Sequence, residues 1–135
     1  MKSRSELVLP MPPSANKIWR RGRFCTYLSS EAVAYKRIVA KAFINSGFVR
    51  IDGRVSIDIV LHPKRPKDWQ KREKKLGDAW VDSVRCLDLD NVLKSLLDSL
   101  KDIAFEDDKW VHRLIVTKGE PQGDGFVIVQ INPAD

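Results

Sequence analysis

The sequence predicts one small domain of the α/β (α+β) class, with its elements in the order strand, helix, strand, helix and hairpin. Three observations predict this class. The chain has 135 residues, 43% of them hydrophobic, which is the size and composition of a single globular domain. Segments with apolar residues at helical spacing alternate with segments in which every second residue is apolar. No internal repeat or low-complexity tract divides the chain, so we expect a single domain over residues 1–135.

The amino-terminal part is predicted to contain two short strands separated by a loop. Residues 6–9 form the first strand, because the prolines that follow cannot continue a sheet ladder. Residues 10–23 are predicted as a basic loop stiffened by proline, and residues 24–28 as a small strand.

A helix and a long strand come next. Ser29 or Ser30 is a candidate N-cap, and apolar residues recur at helical spacing until Gly47, where we expect the helix to end. In residues 54–62 apolar and polar side chains alternate, which is typical of a strand with one buried face.

The segment after this strand is strongly basic. Seven of the fifteen residues between Pro63 and Gly77 are Lys or Arg, and such a composition is too hydrophilic to bury. We therefore predict a flexible basic loop over about residues 63–85, with at most a helical turn around 70–75.

The last third of the chain contains the clearest pattern. Residues 88–103 are predicted as a helix of about four turns, because its apolar residues share one stripe. Residues 111–118 and 126–131 are predicted as strands, and the turn-rich link 121–125 predicts that they form a hairpin. The stripe of the helix consists of Leu89, Val92, Leu93, Leu96, Leu97, Leu100 and Ile103.

Charge is distributed unevenly along the chain. The formal net charge is +6, and residues 1–50 contain 10 basic and 2 acidic side chains, yet residues 88–108 contain 7 acidic and 2 basic ones. A basic surface attracts nucleic acid, whereas concentrated carboxylates repel phosphate unless a cation lies between them. The contrast therefore predicts a metal-assisted reaction on a phosphodiester.

The acidic residues form two groups. Asp88 and Asp90 lie at the start of the predicted helix, with Lys94 on the same exposed side. The second group, at residues 106–108, precedes the strand that begins at Val111. If that strand begins near the helix start, three carboxylates meet, and oxygen ligands without His or Cys suit Mg²⁺ or Mn²⁺.

Each acidic feature also has a purely structural explanation. Asp88 alone is more often an N-cap, Asp90 with Lys94 is usually a solvated ion pair, and residues 106–108 could be a polar loop. Their coincidence in a basic chain makes the metal site an equal alternative to these structural explanations.

The cysteines and the amino terminus indicate the compartment. Cys25 and Cys86 form no CxxC pair and no zinc-like cluster, so we expect free thiols in a reducing cytosol. The apolar stretch before Pro10 consists of only Leu7, Val8 and Leu9, too short for a signal peptide or a membrane span. We expect a soluble cytoplasmic protein.

Four motifs in this order resemble the RusA family of Holliday junction resolvases, which are crossover junction endodeoxyribonucleases of bacteria and prophages. The resemblance extends over nearly the whole chain. The motifs are Leu9-Pro10-Met11-Pro12-Pro13-Ser14-Ala15-Asn16, Ser30-Glu31-Ala32-Val33-Ala34-Tyr35, Asp88-Leu89-Asp90-Asn91 with Lys94, and Phe105-Glu106-Asp107-Asp108.

The resemblance implies a mixed β-sheet with two main helices, a homodimer, and Mg²⁺-dependent cleavage of four-way junctions in DNA recombination and repair, with Mn²⁺ able to replace Mg²⁺. It implies metal-binding carboxylates at Asp88, Asp90 and Asp108, with Asp107 ranked second. Lys94 matches the family's essential lysine.

Two departures fall in the expected DNA-contact region. The connection over about 63–85 is longer than usual for the family, and Leu87 stands where a basic residue is common. The alternatives are a non-catalytic module that binds branched DNA, and a metal nuclease for flaps or other branched DNA. The candidate DNA-binding residues are Asn16, Lys17, Arg20, Arg21, Arg23, Lys64, Arg65, Lys67, Lys71, Arg72, Lys74, Lys75 and Arg85.

Overall fold

A four-stranded sheet with two helices packed on one face forms the domain. The computed structural model describes residues 6–13, 19–23, 26–85 and 89–134. The strands are β1 (Glu6–Pro10), β2 (Trp19–Arg21), β3 (Thr26–Leu28), β4 (Val55–His62), β5 (Val111–Lys118) and β6 (Phe126–Pro133). The α-helices are α1 (Ser30–Ser46), α2 (Trp69–Leu76) and α3 (Leu89–Leu100), and two 3-10 helices cover Gly77–Ser83 and Asp108–Trp110.

The core lies between the sheet and the pair α1 and α3. Every second residue of β4 is buried, as the alternation predicted. Ser29 caps α1 by accepting a hydrogen bond from the Ala32 amide at 3.2 Å, and Gly47 ends it at a φ of 72°. The predicted first helix is therefore confirmed at both ends. The buried residues of the two helices include Tyr35, Val39, Phe43, Val92, Leu96 and Leu100.

The predicted hairpin of the last two strands is wrong. The sheet order is β1-β6-β4-β5, with β4 between β5 and β6, parallel to β5 and antiparallel to β6. The strongly apolar β4 takes a central position, and the mostly exposed β5 takes the edge. The link from β5 crosses the end of β4, where the Gly119 amide donates to the Leu61 carbonyl at 2.7 Å.

The basic connection is helical rather than irregular. α2 and the 3-10 helix that follows it pack together through Trp69 and Trp80, whose ring centroids are 5.9 Å apart. Trp80 is only 4% exposed. The predicted flexible loop is therefore wrong, because Trp80, which lies beyond the basic stretch 63–77, supplies the apolar anchor that this stretch lacks.

Three smaller differences concern element ends. β2 lies inside the predicted loop 10–23 and pairs antiparallel with β3, while residues 14–18 and 24–25 lie outside the described ranges. α3 ends at Leu100 instead of residue 103, because the chain turns back through Asp102 at a φ of 69°. No helix in the described ranges is long and apolar enough to cross a membrane.

Candidate active site

The outward side of α3 presents four charged residues. Asp90, Lys94 and Lys101 are exposed and Asp98 is half-buried, whereas the apolar stripe faces the core. Spacings of four, four and three residues place these side chains on one side of a helix. We call this set, Asp90, Lys94, Asp98 and Lys101, the charged face of α3. The sign of the charge alternates along it from the first turn to just beyond the last.

The amino-terminal end of this face contains Asp90 and Lys94. Asp90 lies in the first turn of α3, where the helix dipole favours a carboxylate. Within the described ranges neither residue forms an ion pair. The described residues therefore do not show the Asp90–Lys94 ion pair that would have explained both side chains as ordinary surface groups. Asp88 lies outside the described residues.

The other end of this face meets the second acidic group. The Asp107 carboxylate accepts a hydrogen bond from the Asp108 amide at 2.6 Å and lies 3.9 Å from the Lys101 ammonium. Partial burial raises the pKa of Asp108, Lys101 opposes the shift, and the carboxylates of Asp98 and Asp107 add to it. Asp108 therefore lies beside the last turns of α3.

The two acidic groups are separated by the length of the helix. Eight residues divide Asp90 from Asp98, which is about 12 Å along a helix axis. β5 begins opposite Val55, at the start of β4. The end of α3 lies at the same place, because the amide of Ile51, just before β4, donates to the carbonyl of Ala104, just after α3, at 3.0 Å. The condition that β5 begins near the start of the helix is thus not met. Among the described residues no three His, Cys, Asp or Glu side chains form a metal-binding group.

The donor chemistry nonetheless fits a hard divalent cation. Asp90, Asp107 and Asp108 offer carboxylate oxygens, the ligands that Mg²⁺ and Mn²⁺ prefer. At the end of α3, the Lys101 ammonium lowers the pKa of Asp108, whereas the two carboxylates of Asp98 and Asp107 raise it. A bound cation would offset this excess of negative charge.

Most candidate DNA-binding residues lie on the surface. Arg72 is half-buried, and the side chain of Arg20 as well as all of Asn16 and Lys17 lie outside what the structure describes. Arg65 stacks over the Trp69 ring at 4.7 Å. The exposed members are Arg21, Arg23, Lys64, Arg65, Lys67, Lys71, Lys74, Lys75 and Arg85.

Asp98, near the second acidic group, was not among the site residues predicted from the sequence. Asp98 lies two helical steps of four residues beyond Asp90, and this spacing could have identified it. Trp110 follows Asp108 closely, and its indole N–H is buried without a hydrogen-bond partner in the described structure. The Lys109 ammonium lies 5.4 Å from the Trp110 ring, and no pattern in the sequence singled out this pair.

A small α+β domain with carboxylates that suit a hard divalent cation, and with exposed basic segments earlier in the chain, has the features of a metal-dependent nuclease. The chain belongs to the RusA family, since the family model described as Endodeoxyribonuclease RusA matches residues 10–132. This membership confirms the family expected from the sequence motifs. Proteins of this family are metal-dependent hydrolytic nucleases.

Named relatives support the assignment over most of the chain. The crossover junction endodeoxyribonuclease of Enterobacteria phage HK97 is 34% identical over 127 residues, covering 93% of this chain and 92% of the relative. The protein of the same name in Escherichia coli strain K12 is 28% identical over 92 residues, covering 61% and 76%. That of Enterobacteria phage 82 is 27% identical over the same length and coverage.

Proposed function

We propose that this chain is a Mg²⁺-dependent endodeoxyribonuclease that resolves Holliday junctions by paired phosphodiester nicks in DNA recombination and repair. The observation that carries the proposal is that Asp90 and Lys94, on the charged face of α3, are exposed and form no ion pair with any residue that the structure describes. Exposed charged side chains of this kind are available to a metal ion and a phosphate. The names of the relatives supply the four-way junction as substrate.

The carboxylates and the lysine have different roles. Asp88, Asp90 and Asp108 would hold the metal, with Asp107 as the second-ranked ligand. When bound, Mg²⁺ supplies charge neutralisation at the scissile phosphate and lowers the pKa of a coordinated water. The Lys94 ammonium stabilises negative charge that develops on the phosphate oxygens, because it is a compact cation that reaches the solvent.

A homodimer would bring the two acidic groups of different copies close together. If two α3 helices lie antiparallel on either side of a two-fold axis, with space for the substrate between their charged faces, the Asp90 end of one face lies opposite the Lys101 end of the other. Asp90 and Lys94 then stay accessible to a metal ion and a phosphate. This pairing would bring Asp90 of one copy towards the Asp107 and Asp108 region of the other. Two such sites would suit two matched nicks.

The first experiment measures cleavage of a labelled synthetic four-way junction with Mg²⁺ or with EDTA. We expect symmetric nicks in the junction, none in a linear duplex of the same sequence, and none with the Asp90→Asn variant. Asp90→Asn should retain or strengthen junction binding, since it removes a phosphate-repelling charge together with a metal ligand.

The other outcomes separate the alternatives. Tight junction binding without cleavage in Mg²⁺ or Mn²⁺ would support a binding module for branched DNA. Faster cleavage of flaps or three-way forks than of junctions would support a nuclease for other branched substrates. Parallel loss of binding and cleavage in Asp90→Asn would contradict the proposed site.

A further inference from the structure

A cavity of about 330 Å³ lies at the base of the basic connection, between the residues that follow β4 and those that follow the 3-10 helix 77–83. Its described lining combines three cationic side chains with one hydroxyl, and no carboxylate is among these described residues. The cavity is large enough for a phosphodiester group and two flanking oxygens. The lining residues are Lys64, Pro66, Arg72, Ser83, Val84 and Arg85.

Arg72 is held in place as one wall of this cavity. Its Nε donates to the Asp68 carboxylate at 2.9 Å, and its Nη1 donates to the Ser83 carbonyl at 3.0 Å and to the Ser83 hydroxyl at 3.2 Å. The Ser83 hydroxyl in turn donates to the Trp80 carbonyl at 2.6 Å. These bonds fix the guanidinium plane and leave its second amino group, Nη2, without a partner in the described structure.

Lys64, another lining residue, is held in place through its backbone. The Arg65 amide donates to the Gly123 carbonyl at 2.9 Å, so the start of the connection is attached to the link between β5 and β6. Gly125 packs so closely that a Cβ there would lie 2.9 Å from the Lys64 amide nitrogen. The cavity is therefore built on a fixed backbone, and such preorganisation lowers the entropic cost of binding.

The cations of the cavity are only partly compensated. Arg72 pairs with Asp68 at 2.9 Å, but neither Lys64 nor Arg85 forms an ion pair with any residue that the structure describes. Uncompensated charges of one sign at a single concave site repel each other and focus an attractive field for an anion. An anionic group would relieve this repulsion.

We propose that this cavity binds one backbone phosphate of a DNA arm, with Lys64 and Arg85 as direct contacts and Arg72 as a third, fixed donor. The inference rests on the proposed function, since it makes DNA the source of the phosphate. Arg85 precedes Asp90 by five residues, which span at most about 18 Å when fully extended. A phosphate in the cavity therefore lies within a few nucleotides of the charged face of α3.

The test compares two variants that lose the same charge. Lys64→Gln/Arg85→Gln removes the two direct contacts, and Arg37→Gln/Lys41→Gln removes two exposed cations from α1 as the control. Binding of a labelled junction and a labelled duplex is measured in EDTA over a salt series. We expect the cavity variant to bind about tenfold or more weakly, and its log–log salt slope to fall by about 0.9, the value for one lost phosphate contact. The control should retain the wild-type slope.

A second measurement follows the cavity directly. In ¹⁵N-labelled protein, the Arg72 Nε–H and the Ser83 amide signals should shift on addition of a short duplex and stay unchanged with an equal concentration of inorganic phosphate. The shifts should be absent in the cavity variant. Should that double variant fail to fold, Arg85→Gln alone, at an exposed position, takes its place in both measurements.

Each outcome decides the assignment. Equal losses in the cavity and control variants would overturn it, because general electrostatic attraction would then explain the binding. Shifts with inorganic phosphate at the same concentration would assign a free anion instead of DNA. Absence of cleavage in Mg²⁺, together with the expected binding results in EDTA, would refute the nuclease and leave the phosphate site standing.

Discussion

Asp90 and Lys94 have no structural partner in the described part of the chain, so their replacement should affect the reaction and leave the fold intact. For Lys94→Ala we expect a loss of turnover on the order of 10²-fold or more, since one preorganised charge contact in a transition state has this value. Junction affinity should change little. Single-turnover cleavage rates, gel-shift affinities and melting temperatures check this, with Lys41→Ala on α1 as control. Unchanged turnover would remove Lys94 from the mechanism.

Asp108 gives a stability prediction that depends on pH. Burial raises its pKa in the folded protein above the unfolded value of about 3.9. Its carboxyl is protonated in both states at low pH, and stability falls as the pH rises through the unfolded and then the folded pKa. In the absence of metal, Asp108→Asn should therefore melt higher than wild type at pH 7 and equally at pH 3.

The matched control is the neighbouring carboxylate. Asp107→Asn removes one of the carboxylates that raise the pKa of Asp108, but it also removes the charge that faces Lys101, so its gain at pH 7 should be smaller than that of Asp108→Asn. Calorimetry on both variants in EDTA makes the comparison. A gain for Asp108→Asn of the same size at both pH values would refute the electrostatic cause.

At the level of elements, the local sequence pattern predicted those helices and strands whose formation depends on neighbouring residues. α1, β4 and the apolar stripe of α3 follow from caps and from burial on one face, and the structure confirms them. The predicted hairpin is wrong because a turn-rich link indicates only that the chain changes direction. It does not indicate which strand β6 pairs with. The packing of α2 depends on Trp80, eleven residues beyond Trp69 along the chain, and helical periodicity does not report contacts between separate helices.

The link from β5 to β6 depends on Gly119 at its first residue. A Cβ at this position would lie 2.7 Å from the His62 ring and 3.1 Å from Val60, closer than packed side chains tolerate. Gly119→Ala should therefore cost about 1–3 kcal/mol of the free energy of unfolding, as overpacking does. In a His62→Ala background the same substitution should cost less, because the ring is gone. Urea unfolding of the four proteins measures this cycle, and an equal cost in both backgrounds would show that the ring is not the obstacle.

At the level of the whole molecule, the sequence could identify the site residues but not their arrangement. Asp90, Lys94 and Asp108 stand out by type and spacing. Their distances depend on where β5 begins, and it begins beside the start of β4 at the far end of α3. One chain therefore keeps Asp90 and Asp108 apart. In the proposed homodimer the second copy would bring the two groups together, an arrangement that a single sequence cannot display.

A mixed dimer of two inactive variants distinguishes shared sites from single-chain sites. Asp90→Asn and Asp108→Asn each remove one residue from both sites of a homodimer, so each variant alone should be inactive. If each site combines Asp90 of one copy with Asp108 of the other, the mixed dimer contains one site with both substitutions and one intact site. It should then nick the junction in one strand only. If each site lies within one chain, both sites of the mixed dimer are damaged and no nick appears.

The measurement uses the two variants with different affinity tags, so that the mixed dimer is purified by both. Denaturing gels of a junction labelled on opposite strands count the nicks. Asp90→Asn mixed with itself under both tags is the control for tagging. Cleavage by the mixed dimer would show that the catalytic carboxylates come from two copies, and it would explain why one chain holds them about a helix length apart. If the mixed dimer cleaves neither strand, and light scattering verifies that it is a dimer, the antiparallel pairing of α3 is refuted.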